Sequence, residues 1–320
     1  MTSKIEISHR TIIFTVAFLA GLWVVLQIRD ILFLLFVSFL FMTALNPLVS
    51  GLERIRIPRL IAILFVYAVV FGLFGVLFAG TVPALVAQSS RFTRELPNFI
   101  ARVMPYWNID ASSISAQIAP IGENLVKVTV GIFSNVLTTL TVLAFTFYFL
   151  VERRHAQQLL TNLMGETVAG RAVDILRKVE RRLGAWVRGE LFLMFFIGLC
   201  SYIGLTILRV EFALPLAIIA GILEIIPVIG PIMSAIPAVL VALAVSPFLA
   251  LTVVALYFLI QQIENNILVP IVMRKVTGLS PLITILALMI GGRLAGVTGA
   301  VLAVPVLLLI QIGVEEFVNK

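Results

Sequence analysis

The feature that leaves this chain fewest choices is the recurrence of long apolar runs, at residues 11–28, 31–49, 60–80, 128–151 and 191–208. About 20 such residues in helical form cross the hydrocarbon core of a bilayer. Barrel strands would instead alternate in polarity over about 10 residues, which these runs do not. An all-α polytopic membrane protein follows, with the lipid bilayer as its first partner. Composition agrees, at 61% hydrophobic and 12% charged residues with a mean hydropathy of +1.14, against about 25% charged residues in soluble domains.

Several function classes drop out. The net charge of +7 comes from Lys and Arg that flank the apolar runs, where orientation signals and anionic headgroups use them, so no nucleic acid is expected. The 2 His, His9 and His155, lie in tail and loop, and no cluster has metal-ligand spacing. No GxxxxGK[ST] phosphate loop is present, which disfavours ATP-driven transport by this chain alone. No Ser/His or paired-Asp arrangement recurs at helical spacing, so no enzyme is expected, and no cofactor. Cys200 is the only cysteine, which rules out an intramolecular disulfide.

The chain divides by composition. Residues 1–80 hold N-terminal transmembrane helices, the first two expected as a tight hairpin around Arg29 and Asp30. Residues 81–127, punctuated by Pro83, Pro97, Pro105 and Pro120, read as an extramembrane insertion, amphipathic around 84–103. A further span covers 128–151. In the polar segment 152–190, Ala172, Leu176, Val179, Leu183 and Trp186 recur at spacings of 4 and 3 opposite a basic face. That pattern predicts an amphipathic helix lying at a membrane surface or against the bundle. Lys and Arg number 2 in the N-terminal tail, 3 in residues 51–59 and 8 in residues 152–190. These basic segments are expected on the cytoplasmic side of a cell membrane, with the N-terminus inside.

Residues 191–320 hold the transport core. The apolar run 212–245 carries Glu224 as its only charge and is cut by Pro227, Gly230 and Pro231, with Pro237 further on. The run 279–313 is cut by GGRLAGVTG, which contains Gly291, Gly292, Arg293, Gly296 and Gly299. Proline removes a backbone donor and glycine permits positive φ, so both places leave peptide groups without helical partners. Such backbone is tolerated at membrane depth only inside protein or beside a watery cavity, and paired interruptions mark substrate sites in secondary transporters. Two broken helical hairpins are therefore expected. Between them, a helix over 248–273 carries Gln261, Gln262, Glu264, Asn265 and Asn266 ahead of Pro270. A carboxylate at the bilayer centre costs about 2.5–3.5 kcal/mol on insertion scales, so Glu264 should face a partner or water. Glu224 is expected to carry a proton or cation. Arg293 is expected either to snorkel or to contact a carboxylate or anion.

The segments EIIPVIGPIMSAIP, QQIENNILVP and GGRLAGVTGAVLAVP, with WVRGELF before the fifth span, resemble the autoinducer-2 exporter family of bacterial and archaeal permeases. The resemblance covers most of the chain and is most specific from Arg188 onward. It implies about eight hydrophobic segments and a prokaryotic transporter. On the residues of this chain, the family signature maps to Pro227, Gly230, Pro231, Gln262, Glu264, Pro270, Gly291, Gly292, Gly296, Gly299 and Pro305. Asn265 stands where the family commonly has glycine, and Arg293 is a charge in a tip that is usually neutral. If Arg293 lies in the cavity, a more anionic cargo is expected.

The reading that results is a secondary transporter exporting a small polar solute of the autoinducer-2 kind, driven by an ion gradient. Glu224 or Glu264 would exchange a proton, and hairpins moving against a frame would give an elevator-like or gating step. A homo-oligomer is the expected frame. The alternatives are a sodium or lithium/proton antiporter on the same carboxylates and a membrane scaffold without flux.

Overall fold

The computed structural model describes residues 9–72, 136–273 and 278–318, with residues 87, 91, 94 and 95. The insertion expected at 81–127, apart from those four residues, lies outside the described residues. So do the ends of two runs, at 73–80 and 128–135. The described chain is helical: α1 His9–Gln27, α2 Arg29–Arg54, α3 Arg59–Gly72, α4 Val136–Met164, α5 Glu166–Ile207, α6 Ala213–Leu223, α7 Ile229–Val245 and α8 Pro247–Ile263. A π-helical turn, Glu264–Leu268, leads into the short α9, Val269–Val272, and α10 spans Pro281–Val318. Among the described residues 5 helices are long and apolar enough to cross a membrane, and α3, α6 and α7 are shorter apolar helices. The expectation of a polytopic all-α membrane protein with about eight apolar segments is met.

The hairpin expected between the first two runs is not formed. Only Ile28 separates α1 from α2, at φ −96° and ψ 12°. Its N–H donates to the Val24 carbonyl and its carbonyl accepts from Leu32, both at 3.0 Å. These are helical hydrogen bonds, and a single near-helical residue cannot reverse a chain, since helix hairpins need loops of about 2–5 residues. Arg29 and Asp30 interrupt the hydropathy without interrupting the backbone.

The amphipathic helix and the fifth span are likewise continuous. α5 runs for 42 residues, about 63 Å at 1.5 Å per residue. It forms the central mast, packing against α2, α4, α6, α8 and α10. Its stripe buries Leu183, Trp186 and Leu193 against Leu40 of α2, Leu268 of the π turn and Leu308 of α10. Its basic face is partly paired. Arg182 donates to Glu315 at 2.9 and 2.7 Å, Lys178 donates to Glu316 at 2.8 Å, and Arg153 of α4 grips Glu180. The reason is that the end of α10 brings Glu315 and Glu316 alongside.

One packing detail follows from a proline. Pro47 inside α2 has no N–H to give to the Thr43 carbonyl, four residues back. Arg188 of α5 supplies the missing donor, with Nη1 at 3.3 Å from both the Thr43 and Ala44 carbonyls. Arg188→Met is expected to cost about 1–3 kcal/mol, the penalty of an unsatisfied buried acceptor. In a Pro47→Ala background most of that cost should vanish, because alanine at that position returns the helical donor. Thermal unfolding of the four proteins in a double-mutant cycle measures this coupling. Additive costs would assign Arg188 some other role.

Candidate functional site

Both broken runs fold as hairpins. In the first, α6 (11 residues) and α7 (17 residues) are joined through Glu224–Val228, and Val228 takes a φ of 69°. The Ile226 N–H donates to Leu223 and the Gly230 N–H to Ile226, so the turn closes on its own backbone. A side chain at Gly230 would overlap the Leu223 carbonyl. In the second, α10 folds back at Ala295 (φ −138°, ψ 22°) and Gly296 (φ 61°, ψ −143°). Gly291 and Gly299 then meet backbone to backbone, and a Cβ on either would overlap the carbonyl of the other. Pro237 and Pro305 sit within α7 and α10, buried in the packing.

The polar helix expected over 248–273 starts at a Ser246 cap, whose Oγ accepts from the Leu249 N–H at 3.1 Å. It changes pitch at Glu264. Pro270 cannot donate back to Asn266, and the Val269 N–H reaches Glu264 five residues earlier. Such single π turns inside helices are frequent at functional sites. Glu264, at 5% exposure, continues the buried stripe of Ala250, Val253 and Ile260, while Ile263 and Ile267 face outward. Gln261 donates from Nε2 to Glu264 Oε2 at 2.8 Å. Asn266 donates to the Gln262 carbonyl at 2.9 Å, and Gln262, Asn265, Asn266 and Pro270 are exposed.

A cavity of about 210 Å³ gathers three carboxyl groups, Glu190 of α5, Glu224 of the first tip and Glu264 of the π turn. Pro227, Asn265 and Thr284 complete its polar and turning edge. Glu224 is 1% exposed and its Oε2 has no hydrogen-bond partner among the described residues. Its carboxyl lies within hydrogen-bonding reach of Glu264, and Glu190 is close enough to interact with both. Among the described residues no Lys, Arg or His lines this cavity. Three carboxyl groups around one cavity, with no cation among the described residues that line it, disfavour holding three charges at once, so the arrangement suits binding and releasing a proton or cation.

A second cavity, of about 280 Å³, lies on the other side of Gln261, between α5, α7 and α8. Ser201, Pro231, Ser234, Tyr257 and Gln261 line it among apolar side chains. The first tip thus divides its prolines, Pro227 in one wall and Pro231 in the other. The second tip contributes to neither cavity; Gly292 and Gly296 lie at its bend and Arg293 is exposed. An anionic cargo held by Arg293 therefore has no support in these walls.

Glu190 is the residue that sequence reasoning misses. Hydropathy groups it with the polar segment, yet the 4 and 3 spacing that ends at Trp186 continues through Glu190 to Leu193 and Ile197. A carboxylate on the apolar stripe is the signal that could have found it.

The description "AI-2E family transporter" matches residues 12–319. The chain is similar to YueF of Bacillus subtilis, named a candidate transport protein, at 28% identity over 315 residues, covering 91% of this chain and 83% of YueF. It is also similar to the AI-2 transport protein TqsA of Escherichia coli, at 28% identity over 287 residues, covering 85% of this chain and 82% of TqsA.

Proposed function

Because the chain belongs to the AI-2E family of transporters and is a multi-pass membrane protein, we propose that it is a secondary transporter that exports a small polar solute in exchange for protons. The carrying observation is the meeting of Glu190, Glu224 and Glu264 around one cavity, with a Glu224 oxygen left without a partner among the described residues. Ionisable groups inside membrane spans mark ion and proton pathways, and interrupted hairpins mark the substrate site. The similarity to an AI-2 transport protein makes autoinducer-2 the first solute to test. The basic segments favour a cell membrane location with the N-terminus in the cytoplasm. Residues 191–320 act as the transport core, with Glu224 and Glu264 as the coupling groups, and the remaining helices as the frame of a homo-oligomer.

The test is a flux assay in proteoliposomes with a solute panel, with and without imposed proton and sodium gradients. Solute efflux that follows the proton gradient, and falls at least about tenfold in Glu264→Gln, is expected from loss of a proton-transfer group. The acidic cavity, lined by no cation among the described residues, also favours a second reading, a sodium or lithium/proton antiporter. Sodium- or lithium-dependent proton movement without any organic solute would select it. Zero flux under every condition, with a stable co-purifying partner, would instead select a scaffold.

A further inference from the structure

Arg171, Lys178 and Arg182 of α5 are spaced 7 and 4 apart, which places them on one face of the helix. Glu315 and Glu316, the only acidic residues of α10, lie against that face. Arg182 donates to both oxygens of Glu315, at 2.9 and 2.7 Å, and Lys178 donates to Glu316 at 2.8 Å. Arg171 approaches Glu316 at 3.6 Å. Glu180, between Lys178 and Arg182, turns the other way and is held by Arg153 of α4. The side chains of the α10 cluster stay partly open to solvent, from 24% for Glu316 to 58% for Lys178.

The place of these pairs gives them a hold on the carboxyl cavity. α10 packs chiefly on α5, along a short apolar seam in which Leu183 and Trp186 cluster with Val304 and Leu308. The ion pairs sit at one end of that seam. Towards its other end Trp186 and Glu190 of α5 and Thr284 and Val304 of α10 line the cavity. That wall therefore stays closed only while α10 stays on α5. Exposed ion pairs are individually weak and are screened by salt. A permanent joint would be buried from salt, whereas this one is open to it. We propose that Arg171, Lys178 and Arg182 form with Glu315 and Glu316 an electrostatic latch, which holds the α10 hairpin on α5 at low ionic strength and releases it, opening the carboxyl cavity, as ionic strength rises. The latch goes beyond the transport reading, since it governs access to the cavity whatever the cavity carries.

The test reads access without flux, on the full chain in detergent in a Cys200→Ser background. Val304, 5% exposed in the cavity wall, is replaced by cysteine and its reaction with N-ethylmaleimide, a neutral reagent that salt does not steer, is timed. Gly51→Cys is the exposed reference, since a Cβ there meets nothing within 4 Å. From about 0.01 M to about 1 M sodium chloride the screening length falls from about 30 Å to about 3 Å. Over that range labelling of Val304→Cys, relative to the reference, should rise about fivefold, the worth of a small network of exposed pairs. Glu315→Gln with Glu316→Gln should label at the fast rate whatever the salt, and so should Arg182→Glu. Adding Glu315→Arg to Arg182→Glu should restore slow, salt-dependent labelling. The latch is overturned if the doubly neutralised chain labels as slowly as the native one, or if salt speeds both alike. Salt-dependent labelling in a chain that shows no solute flux would keep the latch and remove the transport reading. Proton-driven flux in a chain whose labelling ignores both salt and the substitutions would keep transport and remove the latch.

Discussion

Glu224→Gln is expected to reduce proton-driven solute flux at least about a hundredfold, the contribution typical of a positioned proton-transfer group, while the thermal midpoint stays level or rises. The two halves of this expectation have different physical origins. Glu224 is 1% exposed, and among the described residues its Oε2 has no partner and no cation lines its cavity. A carboxyl in such a place contributes little to stability and risks an uncompensated buried charge, which is costly. Glutamine has nearly the same shape, cannot ionise, and brings an N–H that can donate to the neighbouring Glu264 carboxyl. Folding therefore has nothing to lose, whereas a group that must take up and release a proton is gone. Flux in proteoliposomes under an imposed pH gradient, paired with thermal unfolding of the same preparation, reads both halves. Unaltered flux with an unaltered midpoint would remove Glu224 from the coupling machinery. A large fall in the midpoint would make it a structural group instead.

The second large effect is structural. Gly299→Leu is expected to destabilise the protein by about 3 kcal/mol or more, because the added side chain meets backbone that cannot step aside. A Cβ at Gly299 overlaps the Gly291 carbonyl, and relief requires parting the two arms of α10 where they cross. The thermal midpoint should fall by about 5 °C or more. Gly292→Ala is the matched control. A Cβ there meets nothing within 4 Å, and alanine gains up to about 1 kcal/mol of helix propensity over glycine. The two substitutions lie in one tip, within the stretch GGRLAGVTG, so opposite signs would show that the crossing and not tip flexibility requires glycine. Equal, small effects would mean the arms are free to separate.

Much of the site is legible in the sequence, and the reason is chemical. Glu224 and Glu264 stand out because a carboxylate in an apolar run needs an explanation, and Pro227, Pro231 and Gly296 stand out because they interrupt a helix. Hydropathy is blind to continuity of backbone, which is why Arg29 and Asp30 suggest a hairpin where the helical hydrogen bonds through Ile28 run on. The same blindness divides α5 at residue 190, although its buried stripe passes through that position. Glu190 is lost at that artificial boundary. The inward face of Glu264 is legible, since it continues the helical spacing of Val253 and Ile260; the π turn that begins there shifts the phase only of the residues after it. The partnership of Gln261 with Glu264 is a local pair three residues apart on one helix, which the spacing allows, whereas the approach of Ser201 to Tyr257 depends on how α5 and α8 pack, which no local pattern encodes.

The length of α5 has a mechanical consequence. At about 63 Å it is about twice the roughly 30 Å hydrocarbon core, so a bilayer crossed upright by one half of it would leave the other half projecting. The carboxyl Glu190 sits well along this rod, while the ion pairs from Lys178 and Arg182 to the end of α10 grip it nearer its start. A rod so held acts as a lever arm. Tilting the projecting half by about 10° displaces its far end by about 5 Å, about one helical turn. A push applied outside the membrane at the start of α5 would therefore reach the carboxyl cavity as a rotation of one wall.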